Sequence, residues 1–390
     1  MEDVIDLVDG AFWGRNPQEE LQWLRQHAPV WRDPRNDIWG VATYDLVKEA
    51  SGHPKLFSNA GGIRPDNGPI PMMIDMDDPA HWQRRKLVNR GFTPRRVREQ
   101  EDGIRRTART LIDAVSGRGE CDLVWDLAAW LPLIVIGDAL GFAPPDREQL
   151  LRWSDDLLCA LGADDEAAMA KAMMASAGYH EYASRVIAAR RAAPTDDLMS
   201  TLVHAEVDGD RLDDEEIVME SLLILIGGDE TTRHVISGGA YQLLSRRERW
   251  EAVVEDRSLL PTAIEEMLRW VSPIKNMART AAEDVELGGS RIPAGDKLLL
   301  LYPSANRDAA VFDDPDTFDV RRTPNEHVAF GFGPHFCLGA NLARLELRVL
   351  FEELLDRLPD LELAEPTEPP FRPANFVSGY ERLPVRFAPR

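Results

Sequence analysis

The stretch Phe330 to Gly339, FGFGPHFCLG, places a cysteine among three phenylalanines, three glycines and a histidine. This cysteine, Cys337, is one of only three in the 390 residues of the chain. Directly after it, apolar side chains recur at Leu338, Leu342 and Leu345, a spacing typical of a helix. Cys337 is therefore predicted to stand at a helix N-terminus, where free N–H groups and the helix dipole stabilise a thiolate.

A thiolate in this setting suits a metal ion. The glycines let the backbone approach something bulky and flat, and the phenylalanines would keep water away from it. No second cysteine and no nearby pair of histidines completes a zinc site. A cofactor that brings its own remaining ligands would explain the single cysteine, and haem is such a cofactor. A second interpretation stays open, a cysteine hydrolase with Cys337 as nucleophile and His335 or His327 as base.

The composition bounds the class of protein. Cys121, Cys159 and Cys337 lie far apart, which argues against a disulfide framework and predicts a reducing cytoplasm. The N-terminal residues MEDVIDLVDG lack the basic and apolar regions of a signal peptide. No run approaches the roughly 18 apolar residues of a membrane span. A net charge of −22 argues against a nucleic-acid partner, so we expect a soluble cytoplasmic protein.

Helical periodicity dominates the rest of the chain. Helical patterns cover residues 125–142, 146–162, 165–192 and 338–358, and the longest begins at Leu212. Asp213 or Asp214 is the predicted N-cap of that helix, and its apolar centre, residues 222–226, predicts burial. Strand-like segments are short: IWGVATY, NMARTA, VELGG, KLLLLY, NFVSG and PVRF. The sequence predicts a mainly α fold with small β-sheets in a single domain, residues 1–390, because no linker or repeat divides it.

Five motifs in one order carry a specific resemblance to a known family. FGFGPHFCLGANLARLE resembles the haem-binding loop of bacterial cytochromes P450, FGxGxHxCxGxxLAR. GGDETT, residues 227–232, resembles the family's oxygen-binding groove, and EEMLR contains its ExxR as Glu266 to Arg269. HWQRR resembles HxxxR at His81 and Arg85, and ANRDAAVFDDPDTFDVRR resembles the segment before the cysteine loop. The resemblance covers the chain from about residue 75 to the end.

This resemblance implies a cytochrome P450 fold in which haem b is buried between a long central helix and the helix after the cysteine loop. Cys337 would be the axial thiolate ligand of the iron. The other implied haem-binding residues are cations for the propionates, and glycine or aromatic positions along the macrocycle: His81, Arg85, Arg279, His335, Gly227, Gly228 and Phe330. Taken alone, each cation could instead be an ordinary solvated or paired side chain.

The resemblance also implies a catalytic pair. Glu230 and Thr231 form an acid–alcohol pair that would deliver protons during oxygen activation, although Thr231 could instead bond only the carbonyl four residues earlier. Gly227 and Gly228 lie within the helical pattern, and we expect a local opening of the backbone there. The structural network that the resemblance implies is Glu266, Arg269 and Arg322.

Electrons must come from a partner, because no flavin or nicotinamide fingerprint is present. Bacterial members of the family usually take them from a small acidic ferredoxin, which has its own NAD(P)H-dependent reductase. Residues 84–109 hold ten Lys or Arg against three Asp or Glu, a basic island in an acidic chain. The predicted docking residues are Arg95, Arg96 and Arg98, together with Arg344. We expect a monomer without nucleic-acid or membrane partners.

Three segments bear on the substrate. LIGGDETTRHVISGG, WVSPIKNMART and RPANFVSGYERLPV resemble the actinobacterial members that oxidise the terminal side-chain carbon of cholesterol or cholest-4-en-3-one. The predicted activity is hydroxylation of an unactivated C–H with O2 and two electrons. The candidate pocket residues are apolar: Met72, Met73, Leu223, Ile226, Ile274, Met277, Phe376 and Val377.

Several alternatives remain at this point. An apolar lining would equally suit a fatty acid, a terpenoid or a polyketide, and ordinary core packing would explain each pocket residue singly. A haem sensor without catalysis would bind haem through Cys337 but would have no use for Glu230 and Thr231. A peroxygenase or a desaturase on the same scaffold would differ only in its oxidant or its product.

Overall fold

The computed structural model describes residues 2–159, 166–206 and 209–390. In chain order, its α-helices α1 to α15 are Gly10–Gly14, Gln18–His27, Tyr44–Gly52, Ala80–Val88, Pro94–Glu99, Glu101–Ser116, Trp130–Leu140, Arg147–Cys159, Glu166–Ala192, Leu198–His204, Asp214–Leu244, Arg247–Glu255, Leu260–Val271, Tyr302–Ala305 and Ala340–Arg357. Its strands β1 to β10 are Val30–Asp33, Ile38–Val41, Phe57–Ser58, Glu120–Asp122, Asn276–Ala281, Val285–Leu287, Ser290–Ile292, Lys297–Leu301, Glu362–Leu363 and Pro384–Arg386.

The chain forms two compact units. The first comprises Met1–Ile70, His234–Cys337 and Glu365–Leu383, and the second comprises Pro71–Arg233, Leu338–Ala364 and Pro384–Arg390. Helix α11 begins in the second unit and ends in the first. The expectation of a single domain stays a prediction.

The first unit is built on a five-stranded sheet in the order β1-β2-β8-β5-β3. The central strand β8 runs parallel to β2 and antiparallel to β5. Leu298 and Leu300 pack into one hydrophobic cluster, whereas Leu299 and Leu301 pack into another. Alternate residues of a strand point to opposite faces, so both faces of β8 are covered. This double burial explains why KLLLL reads as a continuous apolar run rather than an alternating one.

The second unit is mainly helical. Helix α15 packs on α6 and α7, and a small antiparallel sheet has the order β4-β10-β9. One helical stretch, Leu123–Leu140, is long and apolar enough to cross a membrane by length and composition, which the sequence did not lead us to expect. About two thirds of it, 67%, is buried inside the structure, as in the core helix of a soluble protein.

Most predicted elements are confirmed, with two corrections. NFVSG, residues 375–379, is not a strand, because its only ladder contact is the isolated bridge between Ile274 and Val377. The expected opening at Gly227 and Gly228 was wrong, because α11 is unbroken from Asp214 to Leu244. The helix predicted over 146–162 is confirmed as α8 as far as Cys159, and its last three residues lie outside the described part of the chain.

The start of α11 resolves the choice between two N-caps. The Glu216 amide donates to Asp213 Oδ1 at 2.8 Å, and the Asp213 amide donates to Glu216 Oε2 at 3.0 Å. This reciprocal pair is a capping box with Asp213 as the N-cap. It fixes the first turn of the helix that carries the GGDETT motif.

Candidate functional site

The loop around Cys337 is a series of tight turns in the first unit. The Gly331 amide donates to the Val328 carbonyl at 2.9 Å, and the Cys337 amide donates to the Phe330 carbonyl at 2.9 Å. Helix α15 starts only at Ala340, so Cys337 lies before the helix and not in its first turn. The helix predicted to begin at Leu338 begins two residues later, with Gly339 as its N-cap, so Cys337 lies two residues before the cap.

Two glycines of this loop have backbones that favour glycine. Gly331 and Gly333 have φ of +71° and +75°, in the left-handed region. A Cβ on Gly333 would also lie 2.5 Å from the Ser51 carbonyl oxygen at the end of α3. Any side chain there would have to move the loop away from α3, so the sequence FGFG fixes where the following cysteine is presented.

Cys337 differs from the other two cysteines in its exposure. Cys121 is buried, and burial raises the pKa of its thiol to about 12. Cys159 is half-buried, while Cys337 is exposed, as are Phe332 and Phe336 of the same loop. A loop that exposes aromatic rings and a thiol offers an apolar surface that suits a flat apolar group.

The residues around Cys337 fit haem better than a metal ion held by protein alone. Among residues 2–159, 166–206 and 209–390, no group of three or more His, Cys, Asp or Glu could hold a metal ion. A metal at Cys337 would take its remaining ligands from a cofactor. Phe330, predicted to line the macrocycle, is half-buried with its ring 6.3 Å from that of Phe336.

The first unit brings one predicted propionate ligand towards this loop. Arg279 lies on β5, is 4% exposed and donates to the Ala278 carbonyl at 2.8 Å. It also bonds the buried hydroxyl of Tyr302, and a Cβ on Gly331 would lie 3.5 Å from that hydroxyl. Tyr302 thus links the arginine to the cysteine loop. His335 is half-buried within the loop itself.

The other two predicted propionate ligands lie on α4 in the second unit. His81 is buried, and its Nδ1 lies 3.2 Å from Asp78 Oδ1. Burial lowers the pKa of His81, although the hydrogen bond to Asp78 opposes the shift. The predicted contact of His81 with a haem propionate stays a prediction. Arg85 is half-buried on the same helix, one turn further along.

Glu266 of α13 is fully buried and is the centre of a hydrogen-bond network in the first unit. Arg269 donates to both oxygens of Glu266, from Nε at 2.7 Å and from Nη2 at 2.8 Å. Arg322 Nε adds bonds at 3.1 and 3.2 Å, and the Asp319 amide and Asn325 side chain donate at 2.9 and 3.1 Å. The structure thus brings Glu266, Arg269 and Arg322 into contact, the three residues that the family resemblance had grouped.

The two glycines of GGDETT have different surroundings. A Cβ on Gly228 would lie 3.1 Å from the side chain of Ile136 on α7, so this glycine allows two helices to pack closely. A Cβ on Gly227 would meet nothing within 4 Å, and Gly227 is exposed. Gly227 is therefore an open position within α11, and the predicted cofactor contacts of both glycines stay predictions.

The acid–alcohol pair lies one turn after Gly227. Thr231 is half-buried, and its hydroxyl donates to the Gly227 carbonyl at 2.8 Å, which is the bond that we had considered as its alternative role. Glu230 is fully buried. Its neighbour Asp229 pairs with Arg233 at 3.3 Å, and burial raises the pKa of Asp229 to about 6 against the effect of that arginine.

The candidate pocket residues fall into two sets. In the second unit, Met72 and Met73 are buried while Leu223 and Ile226 of α11 are half-buried. The first unit holds the other four, of which Ile274 and Met277 are partly buried against the core. An isolated β-bridge joins Ile274 to Val377. Phe376 is 6% exposed, and its carbonyl accepts from the Lys275 amide at 2.8 Å.

Much of the basic island is already neutralised within the second unit. Arg95 pairs with Glu99 at 2.8 Å, and Arg96 pairs with Asp196 at 3.1 Å. Arg98 is exposed and has no ion pair with any residue that the structure describes. Arg344 is half-buried on α15. Of the predicted docking residues, Arg98 is the one with its charge most available.

Three residues that the sequence analysis missed take part in these arrangements. Tyr302 bonds Arg279, and its signal was the tyrosine that closes the apolar run KLLLLY. Arg84 and Glu220 join α4 to α11 at 3.3 Å. Arg84 lies beside Arg85 but is not part of the HxxxR motif. Glu220 lies in an apolar helical stretch that contains no motif.

Comparisons with known proteins identify the family of the chain. Residues 163–382 match the cytochrome P450 family. The chain is 57% identical over 387 residues to the steroid C26-monooxygenase of Mycolicibacterium smegmatis, covering 99% of this chain and 96% of that one. It is 56% identical over 388 residues to the steroid C26-monooxygenase of Mycobacterium tuberculosis, covering 99% and 97%.

Solved structures show the same fold. CYP109Q5 from Chondromyces apiculatus, a cytochrome P450, has a TM-score of 0.90 at 36% identity and covers 99% of this chain and 98% of its own. CYP109E1 from Bacillus megaterium, solved with testosterone, has a TM-score of 0.87 at 37% identity and covers 95% and 99%. The chain therefore belongs to the cytochrome P450 family of monooxygenases.

Proposed function

We propose that the protein hydroxylates the terminal side-chain carbon of a sterol, with cholesterol or cholest-4-en-3-one as the substrate. The observation that carries this proposal is the 57% and 56% identity, along nearly the whole chain, to two proteins named for that activity. Overall, the substrate C–H, O2, two electrons and two protons give the alcohol and one water. Family membership leaves the cysteine hydrolase without support.

The protein's own residues have separable tasks in this proposal. Cys337 would hold haem through its thiolate, and Arg279, His335, His81 and Arg85 would receive the propionates. Haem, held by a thiolate, supplies the activation of O2 and the attack on the C–H bond. The exposed rings of Phe332 and Phe336 would exclude water around the thiolate.

Proton delivery falls to the pair on α11. Glu230 is fully buried, so a proton that it delivers would have to be replaced from solvent. Thr231 keeps its hydroxyl on the Gly227 carbonyl and therefore presents its oxygen lone pairs as acceptors beside the open face at Gly227. The threonine would position water, and the glutamate would supply the proton.

The electron donor is proposed to be a ferredoxin with its NAD(P)H-dependent reductase, acting in the cytoplasm on a monomeric enzyme. Support comes from the exposed charge of Arg98, because an acidic partner would be steered to it. Replacing Arg98 with glutamate should slow electron transfer, and the defect should shrink at high salt because ionic strength screens the attraction.

An optical titration of the ferric protein tests the substrate. Cholest-4-en-3-one should give a saturable low-to-high-spin shift at micromolar concentration, while a long-chain fatty acid should give little. The fatty acid is the informative rival, because the chain is also 39% identical to a methyl-branched lipid omega-hydroxylase of M. tuberculosis. A shift with the fatty acid alone, in protein whose reduced carbon monoxide complex shows thiolate ligation, would replace the sterol as substrate.

A second experiment separates an oxygenase from a haem sensor. Thr231→Ala should bind sterol normally, yet divert electrons into hydrogen peroxide and lower product formation by about 100-fold, the weight of a general acid–base group. The comparison is Thr232→Ala on the same turn. Unchanged peroxide release in Thr231→Ala would remove the pair from the mechanism.

A further inference from the structure

A short segment that carries two candidate pocket residues is bonded to α11. The Met73 amide donates to Glu220 Oε1 at 2.7 Å. Arg84 Nη1 donates to the Pro71 carbonyl and to Glu220 Oε1, both at 3.3 Å. Arg84 also pairs with Glu216, one turn earlier on α11. The segment Pro71–Met73 is therefore held at both ends by one buried ion pair.

Burial makes this attachment costly. Glu220 is 0% exposed, and its Oε2 has no hydrogen-bond partner in the described part of the chain. The side chain of Arg84 is only 12% exposed. An unsatisfied oxygen on a buried acid destabilises a protein, and an apolar residue at this position would avoid the cost. A group retained against such a cost is a candidate for function.

The attachment point lies on the helical face that leads to the catalytic pair. Leu223 and Gly227 follow Glu220 at i+3 and i+7, so the three share one side of α11. Along this side the helix passes from fully buried at Glu220, to half-buried at Leu223, to exposed at Gly227. The segment with the two methionines is thus attached at Glu220, at the buried end of the side of α11 that becomes exposed at Gly227.

We propose that Arg84 and Glu220 are positioning residues that set a rigid wall for the substrate, by fixing Met72 and Met73 against α11, and so favour a rigid sterol over a flexible chain. This inference rests on the proposed function. A rigid ligand loses binding energy when a wall moves, whereas a flexible chain can adapt its shape to the displaced wall.

The test replaces the ion pair without leaving a lone buried charge. The double variant Arg84→Met, Glu220→Met removes both bonds to the segment and keeps the core apolar. Its matched control, Arg247→Met with Glu251→Met, removes an exposed pair of the same kind on α12. Glu220→Gln retains an acceptor for the Met73 amide and should recover part of the loss.

We expect the dissociation constant for cholest-4-en-3-one to rise about tenfold in the Arg84/Glu220 double variant, the weight of one hydrogen bond to a charged group. The fatty acid constant should change by less than about twofold, the thiolate spectrum should stay unchanged, and in turnover KM should rise with little change in kcat. Hydrogen exchange at residues 71–73 should become faster. Equal weakening of both ligands, or an unchanged sterol constant, would overturn the inference.

The two proposals fail in different ways. Absence of any sterol response in the wild type would reject the proposed substrate, and the wall with it. A normal wild-type response that the double variant retains would reject the wall alone. If the double variant loses the thiolate spectrum, Glu220→Met alone decides, because it removes the acceptor of the Met73 amide while Arg84 keeps its pair with Glu216. A sterol constant equal to that of the wild type, with unchanged exchange at residues 71–73, then rejects the wall.

Discussion

Glu266 in the first unit and Glu220 in the second are both fully buried, and the hydrogen-bonding capacity of their carboxylates is satisfied very differently. Glu266 in the first unit accepts from Arg269 and Arg322, and also from Asp319 and Asn325, so both of its oxygens are bonded. Glu220 in the second unit accepts at Oε1 only, and its Oε2 has no partner among the described residues.

This difference distinguishes a glutamate that is buried to stabilise the fold from one that we propose is buried for function. A completed polar network stabilises a single arrangement of the chain, whereas a half-completed one keeps the cost of desolvation. Burial accordingly raises the pKa of Glu220 to about 7, with Arg84 opposing the shift. Glu266 joins α13 to the residues before the cysteine loop, while Glu220 holds a segment that we propose to contact substrate.

The largest effect should come from breaking the complete network. Glu266→Ala leaves Arg269 buried without its carboxylate, so we expect a loss of about 3–5 kcal/mol in the free energy of unfolding. Urea denaturation of the purified protein measures this loss. A loss below about 1 kcal/mol would mean that the network does not stabilise the first unit.

The pH dependence of stability should expose Glu220. Its pKa in the folded state is about 7, raised from an ordinary 4.5, so the folded protein keeps a proton that the unfolded chain releases between these values. Stability therefore falls as pH rises through this window, by up to about 3 kcal/mol. Glu220→Gln should remove that fall, so its stability relative to wild type should increase from pH 4.5 to pH 7. A constant difference would refute the raised pKa.

A third buried acid should respond with the opposite sign to Glu266. Glu346 on α15 is buried, its Oε2 has no partner in the described chain, and burial raises its pKa well above the ordinary value, with nearby Asp229 adding to the shift. Glu346→Gln keeps the shape and removes the group whose charged form burial disfavours, so at pH 8 the substitution should be neutral or stabilising by about 1 kcal/mol. Destabilisation by more than about 2 kcal/mol would show that this carboxylate has a stabilising partner.

The smallest loss of stability is expected from an exposed ion pair, which serves as the reference for the buried ones. Arg247→Ala removes one half of an exposed pair with Glu251 on α12, at 2.9 Å. Exposed pairs within a helix contribute only about 0.3–0.5 kcal/mol, so urea denaturation should barely change. A loss as large as that of Glu266→Ala would mean that exposure does not distinguish the two networks.

The same contrast shows what could be predicted from sequence. Glu266 and Arg269 lie three residues apart on one helix, and local spacing was enough to pair them. The Glu220–Met73 bond joins positions 147 residues apart, and no periodicity reports such a contact. The segment 375–379 was misjudged for a similar reason, because its extended backbone meets only a single bridge in the fold. The cysteine loop was predictable because its glycines and its cysteine are adjacent in sequence.

Turnover of cholest-4-en-3-one under isotopically labelled O2, with a ferredoxin and its reductase, tests the central claim most directly. Mass spectrometry of the product should find one labelled oxygen on the terminal side-chain carbon. Label on a sterol ring, or an oxidised product without label, would contradict the account.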